Sequence, residues 1–253
     1  MKAIWKGSIG FGLVNIPVKL FSATEKSTLD LDMVDKRDLE KIHYQRVNES
    51  TGKEVKWNDI GKAFLMNEKY ILLEVKDFED ASPEKSKIIE VNHFVDESDI
   101  ESVYYENSYF IEPDKSGFKA YALLRQALKE TGKVGIAQFV LRTAEMLAVI
   151  KPYENLLLLN KIRFKEEIRE TNEIKIPSSS VNKDQLKMAV KLIDQYSAKF
   201  NISKFKDEYS ASLLKIIKAK SKGKKTSKHK IHNIKSDTKD LMNQLKASLK
   251  KAS

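Results

Sequence analysis

The chain has 253 residues, 41% of them hydrophobic, and a formal net charge of +10; this composition excludes a wholly disordered protein. No stretch approaches the roughly 18 to 20 consecutive apolar residues of a membrane-spanning helix, and the N-terminus lacks the apolar segment of a secretion signal. The absence of cysteine excludes disulfides, thiol nucleophiles and thiolate metal sites. We therefore expect a cytoplasmic protein that does not associate with membranes.

The excess positive charge is confined to the C-terminal end. Residues 215–253 contain 13 lysines and two acidic residues, whereas the first 214 residues contain 33 basic and 34 acidic ones. Such a run is typical of an arm that binds a polyanion; a solvated tail that keeps the protein soluble is the alternative. From Ser221 onward the low-complexity, lysine-rich composition predicts disorder.

The first half of the chain predicts β-structure. Residues 3–21, AIWKGSIGFGLVNIPVKLF, contain no acidic residue and are typical of strands broken by tight turns, with Trp5 and Phe11 in the core. A hairpin is predicted at residues 47–55, with Thr51-Gly52 at its tip. Further strands rich in β-branched and aromatic residues are predicted at residues 69–75, 87–95 and 103–111, the last with a hairpin turn at residues 106–108.

One helix interrupts the predicted strands. It is expected to begin at Asp114 or Ser116 and to end at Gly132. Three more strands follow, at residues 134–142, 146–151 and 156–164, and together with the earlier ones they favour a closed or nearly closed antiparallel barrel. A sandwich has the same strand spacing and remains the alternative at this point.

The C-terminal part predicts helices after a polar linker at residues 176–184. The spacing of Leu186, Val190, Ile193 and Phe200 predicts one apolar helix face, and a second helix is expected from Lys206 to about Lys220. The last segment has leucines at steps of four, which predicts a short basic helix that forms on contact with a partner.

Nothing in the sequence indicates catalysis. Neither a phosphate-binding G-x-x-x-x-G-K-[ST] motif nor a G-x-G-x-x-G motif before a helix occurs, and the only two closely spaced histidines, His229 and His232, lie in the lysine run, where metal binding would meet charge repulsion. We expect no catalytic residue, no metal and no cofactor. The enzymatic alternative is a nuclease that uses the acids near Glu112 and Asp114.

Several blocks of the sequence resemble the Ku family of homodimeric DNA-end-binding proteins in bacteria. The blocks occur in the family's order and cover residues 2 to 224: AIWKGSIGFGLVNIPVKLFSATE, HYQRVNESTGKEV, SPEKSKIIEVNHFVDESDI, YFIEPDKSGFKAYALLRQALKETGKVGIAQFVLRTAEMLAVIKP and FKDEYSASLLKIIKAKSKGK. The resemblance implies a mainly β, α+β protein with a Ku-type antiparallel β-barrel, a DNA-encircling bridge arm, a helical C-terminal segment and a disordered tail. The implied domains are residues 1–176 (barrel and bridge), 177–220 (dimer support and ligase docking) and 221–253 (tail).

The resemblance also implies a function and its residues. It implies a ring-shaped homodimer that binds double-stranded DNA ends in non-homologous end joining and recruits DNA ligase D, in the cytoplasm at the nucleoid. From basic charge and matching blocks together, we predict DNA contacts at Lys6, Lys19, Lys36, Arg37, Lys41, Arg46, Lys53, Lys56, Arg125, Lys133, Lys220, Lys222, Lys224 and Lys225. The predicted ligase-docking residues are Tyr209, Leu213, Ile216 and Lys218. The alternative function is a nucleoid-associated protein that coats DNA without preferring ends.

Overall fold

The computed structural model describes residues 1–25, 27–81, 87–141, 144–176, 180–223 and 241–251. It divides the chain into two compact units. The first comprises Met1–Lys26 and Asp32–Glu170, and the second comprises Ser27–Leu31 and Thr171–Ser253.

Nine strands and five α-helices form within the described residues. The strands are β1 (Trp5–Phe11), β2 (Val14–Ser22), β3 (Lys62–Met66), β4 (Lys69–Leu73), β5 (Ile88–Asp96), β6 (Tyr105–Pro113), β7 (Lys133–Leu141), β8 (Ala144–Tyr153) and β9 (Leu156–Ile162). The helices are α1 (Val75–Asp80), α2 (Phe118–Thr131), α3 (Lys183–Tyr196), α4 (Glu208–Lys220) and α5 (Leu241–Lys251).

Seven of these strands close into a barrel in the order β1-β2-β6-β9-β8-β7-β5, which confirms the predicted barrel and excludes the sandwich. All neighbouring pairs are antiparallel except the one that closes the barrel, where residues 8–10 of β1 run parallel to residues 88–90 of β5. Parallel neighbours require a long connection, and the long segment between β2 and β5 supplies it.

The acid-free opening stretch forms the β1–β2 hairpin. Phe11 pairs with Val14 across a two-residue turn, in which Gly12 has a φ of +55° that favours glycine. Alternate residues of the hairpin point into the core, and Ile9, Ile16 and Leu20 are fully buried. Trp5 and Phe11 pack against this core, as predicted.

Helix α2 packs against the barrel core through Tyr121, Leu124 and Leu128. The buried hydroxyl of Tyr121 donates to the carbonyl of Ile111 at 2.7 Å and accepts the amide hydrogen of Leu157 at 2.7 Å. One hydroxyl therefore ties β6, β9 and α2 together. A short 3₁₀ turn at residues 115–117 precedes the helix, and the backbone of Gly132, with φ +67°, ends it as predicted.

The turn predicted at residues 106–108 is wrong. Tyr105–Pro113 is a single strand, and the pairing with β9 shifts between Tyr105 and Ser108 at a bulge. Two of the polar side chains that indicated a turn have partners there. The Glu106 carboxylate lies 2.5 Å from Lys161 Nζ and 3.1 Å from Arg163 Nη2, and the Ser108 hydroxyl accepts a hydrogen bond from Asn160 Nδ2 at 2.7 Å. These contacts explain how Glu106 and Ser108 lie within the strand.

The second unit consists of short helices, and none of its described residues is buried. Asn182 caps α3 by accepting the backbone N–H of Asp184 at 2.9 Å. The predicted apolar face of α3 lies open to solvent, with Leu186 53% and Ile193 65% exposed. Phe200 lies beyond the helix, because the backbone becomes extended at Ser197.

Helix α5 packs against α3 within the chain itself, so a second molecule is not needed for this segment to be helical. The disorder predicted from Ser221 falls largely on residues 224–240, which lie outside the described part of the chain.

Candidate nucleic-acid interface

A long exposed segment, residues 32–81, is inserted between β2 and β5; we refer to it as the bridge arm. It contains the two-stranded β3–β4 sheet, helix α1 and isolated antiparallel bridges between Val34 and Lys41 and between Val47 and Glu54. The predicted hairpin at residues 47–55 is present as a short one: the Val47–Glu54 bridge is flanked by backbone hydrogen bonds from Asn48 to Lys53 at 2.9 Å and from Val55 to Arg46 at 2.8 Å, with Gly52 in its turn at φ +64°. No residue from 32 to 81 is buried, so the bridge arm has no hydrophobic core.

The apolar side chains of the β3–β4 sheet are uncovered on both faces. Phe64 and Ile71 lie opposite each other and are 60% and 47% exposed, while the neighbouring pair, Leu65 and Tyr70, is 55% and 77% exposed. An isolated two-stranded sheet is marginally stable in water. The bridge arm therefore presents an apolar surface of the kind that binds another protein surface.

Two of the predicted DNA-binding residues on the bridge arm are already paired with acids. The Arg37 guanidinium contacts the Asp35 carboxylate at 2.5 Å, and Lys41 Nζ lies 3.0 Å from the Asp32 carboxylate. The side-chain hydrogen bond from Arg37 lowers the pKa of Asp35 below its ordinary value. These two bases are therefore partly neutralised within the chain.

Four other predicted bases of the bridge arm lack such acids. Arg46 places its guanidinium over the ring of Trp57, 4.5 Å from the ring centre. The side chains of Lys36, Lys53 and Lys56 are exposed and form no ion pair with any described residue. Exposed, unpaired lysines of this kind are suited to phosphate oxygens.

On the barrel, Lys6 and Lys19 lie directly opposite each other on β1 and β2. Lys19 Nζ is 2.6 Å from the Asp114 carboxylate, and this hydrogen bond raises the pKa of Lys19. Glu112 is the residue paired with Lys19 on β6. The two acids named for the nuclease alternative thus lie beside a lysine.

The predicted DNA-binding residues near α2 have partners as well. Arg125 donates to the carbonyl of Glu154 at 3.4 Å, and Lys133 Nζ pairs with the Asp96 carboxylate at 3.1 Å. Lys220 and Lys222 lie exposed at and beyond the end of α4. Lys224 and Lys225 fall outside the described residues.

Three of the predicted ligase-docking residues, Tyr209, Leu213 and Ile216, share one side of α4 by their spacing, whereas Lys218 lies on the opposite side. Tyr209 is 76% exposed, Lys218 is exposed, and Leu213 and Ile216 are half-buried. Asp207 caps the helix, its carboxylate accepting the backbone N–H of Ser210 at 3.0 Å. The side-chain hydrogen bond from Ser210, together with this backbone hydrogen bond, lowers the pKa of Asp207.

Sequence reasoning missed the partners of the basic residues. The Asp35–Arg37 pair has a detectable local signal, two opposite charges two residues apart, but Arg46 and Trp57 are too distant in sequence for any periodicity to link them. Among the described residues, no group of histidine and carboxylate side chains is suited to hold a metal ion. None of the described helices is long and apolar enough to cross a membrane.

Comparisons with known proteins place these features in a family. The model of the Ku70/Ku80 beta-barrel domain matches residues 10–188. Proteins named non-homologous end joining protein Ku are similar along most of their length. That of Coxiella burnetii is 35% identical, covering 98% of this chain and 94% of the relative. That of Archaeoglobus fulgidus is 34% identical, covering 98% of each chain. The Bacillus subtilis protein of the same name is 36% identical, covering 90% and 74%.

Proposed function

The chain belongs to the Ku family, and from that premise we propose that it binds the ends of double-stranded DNA, independently of sequence, in non-homologous end joining. The observation that carries this proposal is the bridge arm, which combines exposed basic residues with an uncovered apolar surface on a closed barrel. The relatives' shared name supports the pathway.

We further propose that two copies assemble into a ring. The exposed faces of the β3–β4 sheet, with Phe64 on one side and Tyr70 on the other, are suited to cover each other in a homodimer. Two bridge arms joined in this way enclose a duplex, and a closed ring loads only where the duplex ends. End preference then follows from topology, and phosphate contacts by lysine and arginine need not read bases.

Ligase recruitment is the finer part of the proposal. We assign residues 1–176 to the barrel and bridge, 177–220 to dimer support and docking of DNA ligase D, and 221–253 to additional nonspecific DNA contact. The exposed ring of Tyr209 on α4 supports this docking assignment. A binding and recruiting protein needs no catalytic residue, metal or cofactor of its own, and its DNA partner places it at the nucleoid in the cytoplasm.

A gel shift on one linear duplex tests the proposal. The labelled duplex is tested in two forms, one with both ends free and one with both ends blocked by bulky adducts. A covalently closed circle is added in a separate series as the competitor. Binding that requires free ends and gives successive shifted bands on longer fragments supports a threading ring. Equal binding to free, blocked and circular DNA would contradict it.

The alternative is a nucleoid-associated protein that coats DNA without end preference. The 13 lysines in residues 215–253 favour it, because they supply sequence-independent affinity without any ring. Equal binding of the closed circle and the linear duplex is the result that this alternative predicts.

A further inference from the structure

The second unit contains a helix pair that the proposed function leaves unexplained. Helix α5 packs against α3. On α5, Met242, Leu245 and Leu249 are half-buried, and their spacing of three and four residues places them on one helix face. On α3, Met188 and Leu192 are half-buried in the same way, on the side away from exposed Leu186, Val190 and Ile193.

The contact between these helices is incompletely buried. None of the apolar side chains described on α3 and α5 is fully buried, so each forfeits part of the free energy that complete burial of a leucine or methionine provides, about 1.5–3 kcal/mol. Helices shorter than about 12 to 15 residues are marginal in water on their own, and α5 has 11 residues. Undocking therefore also favours loss of the helix.

Charge opposes the docking. Helix α5 carries three lysines and no acidic residue, and α3 carries three lysines against two aspartates. Both helices are thus net positive, and charges of one sign repel across separations shorter than the Debye length, about 8 to 10 Å at physiological salt. The half-buried apolar side chains therefore hold the helices together without support from their net charges, which have the same sign.

We propose that α5 is a releasable clasp: it docks on α3 in the free protein and leaves α3 when the protein binds duplex DNA. This inference rests on the proposed function, because the duplex is the polyanion that competes for α5. Released α5 is free to lay its lysines along the phosphates, and each phosphate neutralised releases counterions. Because DNA then has the higher affinity for the undocked state, binding shifts the population toward it.

Docking by the same reasoning lowers the apparent affinity for DNA, since only the undocked fraction offers α5 to the duplex. The double variant L245Q/L249Q removes the apolar contact without changing charge. It is expected to bind a short blunt duplex several-fold more tightly than the wild type at low salt. The matched control is A247Q, which introduces the same side chain at an exposed position of α5, and its affinity should equal that of the wild type.

Amide hydrogen exchange on the full chain tests the clasp. In the free wild type, the backbone amides of α5 and of the turns of α3 in contact with it should be protected from exchange. The double variant should lose this protection, whereas A247Q should keep it. Addition of the duplex should remove the protection of α5 in the wild type. Fluorescence anisotropy of the labelled duplex, read on the same samples, reports DNA binding itself.

The outcomes separate the clasp from the proposed function. Bound duplex with α5 still protected would overturn the clasp and leave DNA binding intact, as would equal affinities of the double variant and the wild type. Binding by the double variant alone supports a clasp strong enough to block DNA. Absence of binding by both proteins would overturn the proposed function, and the clasp with it.

Discussion

The guanidinium of Arg46 lies over the ring of Trp57, 4.5 Å from its centre, on a bridge arm in which no residue is buried. Trp57 is 70% exposed, so the ring does not belong to a core. The Trp57 ring restricts the conformations of the long Arg46 side chain. The other face of the Arg46 guanidinium stays accessible to a phosphate.

Replacing the two partners separately should have different effects. R46A is expected to weaken duplex binding and to reduce the log–log salt slope by about 0.9, the contribution of one phosphate contact. W57A is expected to weaken binding only about two- to fivefold, the equivalent of an exposed cation–π contact of about 0.5–1 kcal/mol, with no change in slope. Anisotropy titrations over a salt series measure both, and an unchanged slope in R46A would remove Arg46 from the interface.

The ion pair between Asp35 and Arg37 on the bridge arm should lower the affinity for DNA. Asp35 contacts Arg37 at 2.5 Å and adds negative charge beside the predicted path of the phosphates. D35N is therefore expected to tighten binding at low salt by a few-fold, with the gain disappearing as salt rises. The control is D59N, an exposed acid of the same arm for which no basic partner occurs among the described residues; comparable gains in both would show a general charge effect only.

Much of the barrel could be predicted from the sequence because alternating apolar residues and turn residues determine strands locally. The closing pair could not, since the parallel alignment of Ser8 with Ile88 depends on a register between distant segments. The polar residues from Glu106 to Ser108 resemble a turn, and only the three-dimensional neighbours of Glu106 show why they lie within a strand.

The candidate site was predictable only in part. Basic residues and family blocks predict which side chains contact DNA, and those contacts stay predictions; the acids that pair with Lys19 and Lys133 come from other strands or loops and could not be predicted. A sequence pattern cannot distinguish a lysine held by such an acid from one free to bind phosphate.

The Tyr121 hydroxyl should contribute measurably to stability. Y121F leaves the buried carbonyl of Ile111 and the N–H of Leu157 without this partner, which costs about 1–3 kcal/mol when such groups stay unsatisfied. Urea unfolding should show this loss, whereas Y209F, at a position 76% exposed on α4, should leave the midpoint unchanged. Equal midpoints for Y121F and the wild type would show that water replaces the hydroxyl.

The Glu106 ion pairs predict a pH dependence of stability. Hydrogen bonding and charge from Lys161, with the charge of Arg163, lower the pKa of Glu106 below its ordinary value. A lowered pKa in the folded state means that the stabilisation is complete above the ordinary value, near 4.5, and is lost as pH falls through the folded-state pKa. E106Q should therefore be less stable than the wild type by about 1 kcal/mol near neutral pH, and the difference should vanish in strong acid.

Urea unfolding at neutral and acidic pH checks this expectation. The control variant is E90Q, whose carboxylate lies exposed on β5 and has no ion pair among the described residues. A difference between E106Q and the wild type that persists unchanged in acid would assign the effect to packing instead of charge.

The uncovered β3–β4 sheet predicts the oligomeric state. Phe64 and Ile71 face each other on one side of this sheet and are 60% and 47% exposed. A charged side chain there should weaken the apolar contact with a second copy of the chain. F64D is expected to shift the protein from dimer to monomer in analytical ultracentrifugation and to abolish the preference for free DNA ends. The control is L13D, because Leu13 at the tip of the β1–β2 hairpin is fully exposed and lies outside the bridge arm. A dimer that persists in F64D and binds ends normally would show that the two copies meet through a different surface.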